Sequence, residues 1–237
     1  MSDKLKIAVM GANGRLGKEI CDLCDHENMQ LTAALVRPHS PILNSKIGSI
    51  FYTCDPFLPA IDVYIDVSAT SALRNHIQVA LQMKRPIVIG TTGLSEKDFA
   101  SIQTASQIIP IFYSPNFSIG MAIFRKMIAL SAPLFPTTTD IDLIETHHHH
   151  KKDAPSGSAL LLQSALNSQK QNSISIHSIR SGNTIGKHEL LFNLGDELLT
   201  FTHTANSRKI FAKGALQAAQ FLAKKPPGLY GMENLIV

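Results

Sequence analysis

The chain has 237 residues, of which 44% are hydrophobic, 17% charged and 6% aromatic, and its formal net charge is +4 at pH 7. That length supports a proper core in one or two domains, while the scattered basic residues and the lack of Trp argue against nucleic acid as a partner. No apolar run reaches the length of a membrane span, the opening Met-Ser-Asp-Lys is no signal peptide, and three cysteines suit a reducing cytoplasm.

Residues 4–10 read as a short buried strand, and Gly11-Ala12-Asn13-Gly14-Arg15-Leu16-Gly17 follows it, then a helix to about residue 24. Strand, glycine turn and helix in that order form the nucleotide-binding corner of a doubly wound sheet. Gly11 permits the tight turn, Gly14 lets a pyrophosphate approach the backbone, and Gly17 lets the helix pack close to the strand. The helix N-terminus adds its amides and its dipole. The spacing is G-x-x-G-x-x-G rather than G-x-G-x-x-G, and its place directly after a strand strengthens the reading. Cys21 and Cys24 fall inside the helix with no second ligand pair, so neither zinc nor redox chemistry is expected there.

Further strands are expected at 31–36, 61–67, 86–89 and 108–113, with helices at 71–83, 95–106 and 119–130. This βαβ rhythm belongs to a parallel sheet covered by helices. The stretch 37–59 is short, its ends rich in Pro and Ser, and no helix is expected in it. The period then changes: strands at 140–146, 173–180, 189–193 and 198–204, one helix at 156–167 and a long one at 207–223. The expected fold is α/β, with a Rossmann-type parallel-sheet domain over 1–116 to which about 208–237 return. Residues 117–207 form a second, α+β domain with an open mixed sheet whose free face suits oligomerisation.

The most distinctive segment is Glu145-Thr146-His147-His148-His149-His150-Lys151-Lys152-Asp153-Ala154-Pro155-Ser156-Gly157-Ser158. Purification tags sit at termini, and this run is internal. Four imidazoles lead into two ammonium groups, an acid and a Pro-Ser-Gly turn that opens an apolar helix. A protonatable imidazole among cations is what binding and protonating a small polyanion requires. In extended backbone His147 and His149 point one way and His148 and His150 the other, so the four do not converge on one ion and no metal is expected.

G-A-N-G-R-L-G (11–17), I-G-T-T-G (89–93), P-N-F-S-I-G (115–120), the histidine segment and S-R-K-I-F-A-K-G-A (207–215) occur in this order. Together they resemble the 4-hydroxy-tetrahydrodipicolinate reductase (dihydrodipicolinate reductase) family of bacterial lysine and diaminopimelate synthesis, over nearly the whole chain. The resemblance implies an oxidoreductase using NADPH or NADH, which adds hydride and then a proton to a small cyclic imine dicarboxylate. It puts the acid/base on His147, a further proton donor on Lys151, and the carboxylate grips on His148, Ser156, Gly157 and Ser158. It assigns the pyrophosphate to Gly11, Ala12, Asn13, Gly14, Arg15 and Leu16, and the nicotinamide and its ribose to Gly90, Thr91, Thr92, Ser114, Pro115, Asn116 and Phe117. It also implies a homotetramer built through the second domain's sheet. His149 and His150 read as bystanders, with some weight left on His150 because the family often has a basic residue there; Lys152 reads as solvated, and Arg208 either approaches the site or ties the last helix.

The chain departs from the pattern at Pro115, where a small residue is usual, at Ser158, where Thr is common, and at Val36, where the family often carries Glu. NAD-preferring Rossmann proteins grip the ribose hydroxyls with an acid at the end of strand two. Here that place reads Leu35-Val36-Arg37, and Arg15 and Arg37 are at hand for a 2′-phosphate, so NADPH is the expected preference with weaker NADH use. Two other readings stay open: another two-domain NAD(P) oxidoreductase such as an aspartate dehydrogenase, and a non-catalytic NADP sensor, which would have no use for a proton donor.

Overall fold

The structure is a computed structural model, and it describes residues 4–167 and 174–236. In chain order the elements are β1 (Leu5–Met10), α1 (Arg15–Leu23), β2 (Met29–Leu35), β3 (Lys46–Ile47), β4 (Ile50–Thr53), β5 (Val63–Asp66), α2 (Thr70–Met83), β6 (Ile87–Ile89), α3 (Glu96–Ser106) and β7 (Pro110–Tyr113). There follow α4 (Ile119–Ser131), β8 (Asp140–His147), α5 (Gly157–Asn167), β9 (Ile174–Arg180), β10 (Gly186–Asn193), β11 (Leu198–Ala205), α6 (Lys209–Leu222) and β12 (Gly228–Tyr230). Two compact units result: one runs to Phe117 and resumes at Lys209, the other is Ser118–Arg208.

The first unit holds an eight-stranded sheet in the order β12-β7-β6-β5-β1-β2-β4-β3, parallel except for the β3–β4 pair. Strands β5 (V-Y-I-D) and β6 (I-V-I) are buried along their whole length, as strands covered on both faces must be. The strand order reverses at β1, which lies between β2 and β5. A crevice at such a switch point, beyond the carboxyl ends of the strands, is where open α/β sheets bind ligands. Two features were not foreseen. The stretch 37–59 contributes β3 and β4, and the C-terminal segment adds β12 beside β7. Both are too short to show a period of two in sequence.

The second unit holds a mixed four-stranded sheet in the order β11-β10-β8-β9, in which only β8 and β9 run parallel. Strands β8 and β10 alternate between buried and half-buried positions, the mark of a sheet with one covered face. Ile141, Leu143, Leu190 and Phe192 on that face pack with Met121, Phe124 and Ile128 of α4 and Ala159, Leu162 and Leu166 of α5. Each buried side chain of this size contributes roughly 1.5–3 kcal/mol. Ser173, expected as the first residue of β9, lies outside the described residues.

Candidate active site

The glycine corner of the first unit is built from backbone. Gly11 has φ +84, and a Cβ there would lie 2.8 Å from Ser68 Cα. At Gly17 a Cβ would lie 2.2 Å from the Gly11 carbonyl oxygen, so α1 meets the turn at a distance that only glycine allows. The N–H groups of Gly11 and Ala12 both donate to Leu35 O at 3.1 Å, and that of Gly14 donates to Gly11 O at 2.9 Å. Those amides hold the loop. The amides facing outward at the helix start belong to Arg15 and Leu16, where no earlier turn supplies a carbonyl and Gly14 offers no side-chain cap.

Beside this corner lies a cavity of about 590 Å³ lined by Gly11, Asn13, Gly14, Val36, Arg37, Ser68 and His76 among others, with no carboxylate in its wall. Arg15 is exposed and not part of the wall. Thr91, at the end of β6, is buried, and its hydroxyl has no hydrogen-bond partner among the described residues. Ser114 spends its hydroxyl on its own loop, donating to Asn116 O at 2.7 Å and accepting from Asn116 N at 3.2 Å. Phe117 is buried and stacks on Phe112, and a Cβ at Gly90 would come within 2.6 Å of its ring. Its aromatic face therefore belongs to the core, and its carbonyl packs against α6, where a Cβ at Gly214 would lie 1.8 Å from the oxygen. Free first-turn amides, the shape that glycine permits, a cationic wall and an unsatisfied buried hydroxyl fit a dinucleotide.

The histidine segment of the second unit is built from side chains. Glu145 and His147 lie two residues apart on β8 and so share its covered face. Glu145 has no exposed surface, and its carboxylate accepts from the Arg180 Nη1 and Nη2 groups at 3.0 and 2.8 Å and from the Ser156 amide at 3.2 Å. His147 Nδ1 makes a short contact to the same carboxylate. Burial alone would raise the Glu145 carboxyl, but hydrogen bonds from Arg180, Ser178 and His147 outweigh it and hold it down at about 2. Burial pulls the His147 imidazole below its ordinary value, partly opposed by Glu145.

Register explains Arg180: it is the β9 residue paired with His147. Its Nη2 also donates to Asp153 O at 2.6 Å. Lys151 Nζ lies 2.8 and 2.9 Å from the two Asp153 carboxylate oxygens. Ser156 caps α5, accepting from Ala159 N at 3.2 Å, and its hydroxyl also contacts His188 Nε2 at 3.2 Å. The Ser156 hydroxyl is thus committed to the fold, and the first turn of α5 presents Gly157, exposed, and Ser158, half-buried.

One expectation is corrected. β8 ends at His147, and His148–His150 leave the strand for a turn in which Lys151 N donates to His148 O at 3.1 Å. Strand alternation therefore does not sort the four histidines. His147 is buried, His148 half-buried, and His149 and His150 are exposed.

The two halves of the chain match family models for the N-terminus and C-terminus of dihydrodipicolinate reductase, over residues 5–117 and 120–236. The 4-hydroxy-tetrahydrodipicolinate reductase of Wolinella succinogenes is 37% identical over 253 residues, spanning 98% of each chain. That of Pseudoalteromonas translucida is 34% identical over 262 residues, again 98% of each. The chain belongs to the dihydrodipicolinate reductase family. Among solved structures, a dipicolinate-bound dihydrodipicolinate reductase from Paenisporosarcina sp. TG-14 superposes with a TM-score of 0.83 at 25% identity, covering 98% of this chain and 99% of that one. The aspartate dehydrogenase and nucleotide-sensor readings are not better supported by these matches.

Sequence reasoning missed Arg180, His188 and His203 and gave Glu145 and Asp153 no role. His188 lies 5.2 Å from the His147 ring, and its Nδ1 is buried with no hydrogen-bond partner among the described residues. Burial, then the charges of His147 and His203, push its imidazole down to about 3. His203 of β11 stacks on Phe124, with Nε2 3.4 Å from Ser118 Oγ, and burial lowers its pKa as well. The E-x-H spacing on a strand was a usable signal for Glu145. Arg180, His188 and His203 come together only through sheet register.

Proposed function

We propose that this chain is a 4-hydroxy-tetrahydrodipicolinate reductase: the substrate loses water to give dihydrodipicolinate, and hydride from a nicotinamide cofactor plus a proton then give tetrahydrodipicolinate, in diaminopimelate and lysine biosynthesis. The observation that carries the reading is the segment 145–158, in which one continuous stretch supplies a buried imidazole, an ammonium group and a helix N-terminus, in a chain matched to the family along both halves.

A reduced nicotinamide bound at the glycine corner supplies the hydride. The Arg15 and Leu16 amides receive the pyrophosphate, and the Thr91 hydroxyl takes the hydrogen bond that it lacks. Lys151 and His148 meet the substrate carboxylates, and the Gly157 and Ser158 amides at the start of α5 seat one of them. His147, as imidazolium, then delivers a proton from Nε2 to the carbon beside the one reduced. Asp153 occupies the Lys151 ammonium in the same way that a substrate carboxylate would, so the two compete for one charge.

A cationic cavity wall with Arg37 and no acid supports NADPH over NADH. The dipicolinate held by the Paenisporosarcina relative supports a small cyclic dicarboxylate as substrate. On the uncovered face of the four-stranded sheet Ile144, Ile179 and Leu191 lie among polar residues, which supports assembly of a homotetramer there. No helix among the described residues is long and apolar enough to cross a membrane, and the reading as a cytoplasmic enzyme rests on the pathway. The test is an assay with enzymatically generated 4-hydroxy-tetrahydrodipicolinate, followed by loss of NADPH absorbance. Substrate-dependent oxidation is expected; none at any substrate concentration would overturn the reading.

A further inference from the structure

We infer that Glu145 and Arg180 are a positioning pair that fixes the tautomer of His147 and ties it to the carboxylate seat. This rests on the reading of His147 as proton donor. Glu145 touches three parts of the proposed machinery at once: His147 through Nδ1, the start of α5 through the Ser156 amide at 3.2 Å, and Arg180 through two hydrogen bonds. Arg180 in turn reaches Asp153 O at 2.6 Å, in the loop that carries Lys151. One buried carboxylate therefore sets the distance between donor, cation and seat.

The tautomer follows from acid–base chemistry. A carboxylate held ionised by a guanidinium fork has no proton to give, so Nδ1 of His147 must be the donor between them. Nε2, at the other edge of the ring, is then the atom that carries the exchangeable proton. It faces Gly186, where a Cβ would come within 3.1 Å of it. The imidazolium gives up the Nε2 proton and recovers it from solvent, and the Nδ1 proton stays in place throughout. The charged and titratable groups around the ring are Glu145 on β8, Arg180 on β9, His188 on β10 and Lys151 in the following loop; Glu145 alone among them favours the imidazolium.

A merely structural ion pair would hold β8 to β9 and leave the tautomer to chance, so the test reads the tautomer. Histidine is labelled with nitrogen-15 in the substrate-free protein, and a His147→Gln difference spectrum assigns the ring. The wild type is expected to show Nδ1–H and a bare Nε2 in the neutral form. In Glu145→Gln, the amide oxygen goes to the site that receives both Ser156 N and Arg180 Nη2, which turns the NH₂ towards His147. The tautomer should then flip to Nε2–H. With it, kcat should fall about 10²–10⁴-fold at nearly unchanged KM. Loss of the anion should also move the alkaline limb of the pH–kcat profile to lower pH, and Glu145→Asp, which keeps the charge, should restore that limb.

A bare Nδ1 in the wild type, or an unflipped tautomer in Glu145→Gln, would overturn the pairing. If Glu145→Gln does not fold, the wild-type tautomer alone decides. Full turnover in His147→Gln would sink the proton-donor reading instead, and the tautomer measurement would still stand on its own.

Discussion

The two candidate regions solve opposite problems. The glycine corner is contiguous in sequence and made of backbone: its shape depends on the lack of a Cβ at Gly11 and Gly17, and the side chains of Asn13 and Arg15 are exposed. The histidine site is made of side chains drawn from β8, β9, β10 and β11, and charge is buried in it. Buried charge is stable only when every partner is present, since removing one leaves the other unpaired at a cost of about 3–5 kcal/mol. The backbone site should therefore be indifferent to most side-chain exchanges around it, and the side-chain site should fail at single positions.

The sharpest way to break that contrast is His147→Gln. It should lower kcat by about 10²–10⁴-fold, the usual worth of a positioned general acid, while NADPH affinity stays the same. A loss of nucleotide affinity by titration, with kcat retained, would reverse the division of labour between the regions. On the other side, Arg37→Ala removes the cation from the cavity wall. A charge-assisted hydrogen bond contributes about 1.5–3 kcal/mol, so NADPH should bind about 10- to 100-fold more weakly and NADH about as before. Equal losses for both cofactors would show that Arg37 does not read the 2′-phosphate, and a higher kcat/KM for NADH in the wild type would overturn the stated preference.

The contrast also governs what the sequence reveals. The corner is legible because strand, turn and helix sit within one short stretch, and the glycines mark where backbone must come close. The segment 145–158 is legible for the same reason. Arg180 and His188 are invisible in advance, because nothing near either residue says that it will line up across from His147 or Glu145; parallel pairing of β8 with β9 and antiparallel pairing with β10 do that. The end of β8 at His147 is also set by tertiary structure, since Ser181 N takes the His147 carbonyl at 2.8 Å and the chain then turns. Alternation along four histidines failed for that reason. Ser156 shows a subtler gap: its residue type is right for a carboxylate seat, but the hydroxyl is already in use between Ala159 and His188.

The smallest predicted effect isolates His188. Its Nε2 lies 3.2 Å from the Ser156 hydroxyl, which accepts from Ala159 N to cap α5, so the ring is packed against the start of that helix. Burial holds the imidazole near 3 in the folded protein, against an ordinary 6.5. Between those values the unfolded chain binds a proton at this residue and the folded one does not. Stability must therefore rise with pH across that window and fall as pH drops from about 6.5 towards 3. Glu145, lowered from 4.5 to about 2, acts in the same direction, but only below about 4.5. The range between 4.5 and 6.5 thus belongs to the histidines. His188→Phe keeps a ring of similar size and removes the titration, so urea unfolding free energies should depend on pH less steeply there, by up to about one proton. His147 and His203, also lowered, remain in the variant and leave a residual slope. An undiminished slope would mean that His188 takes up its proton in the folded state.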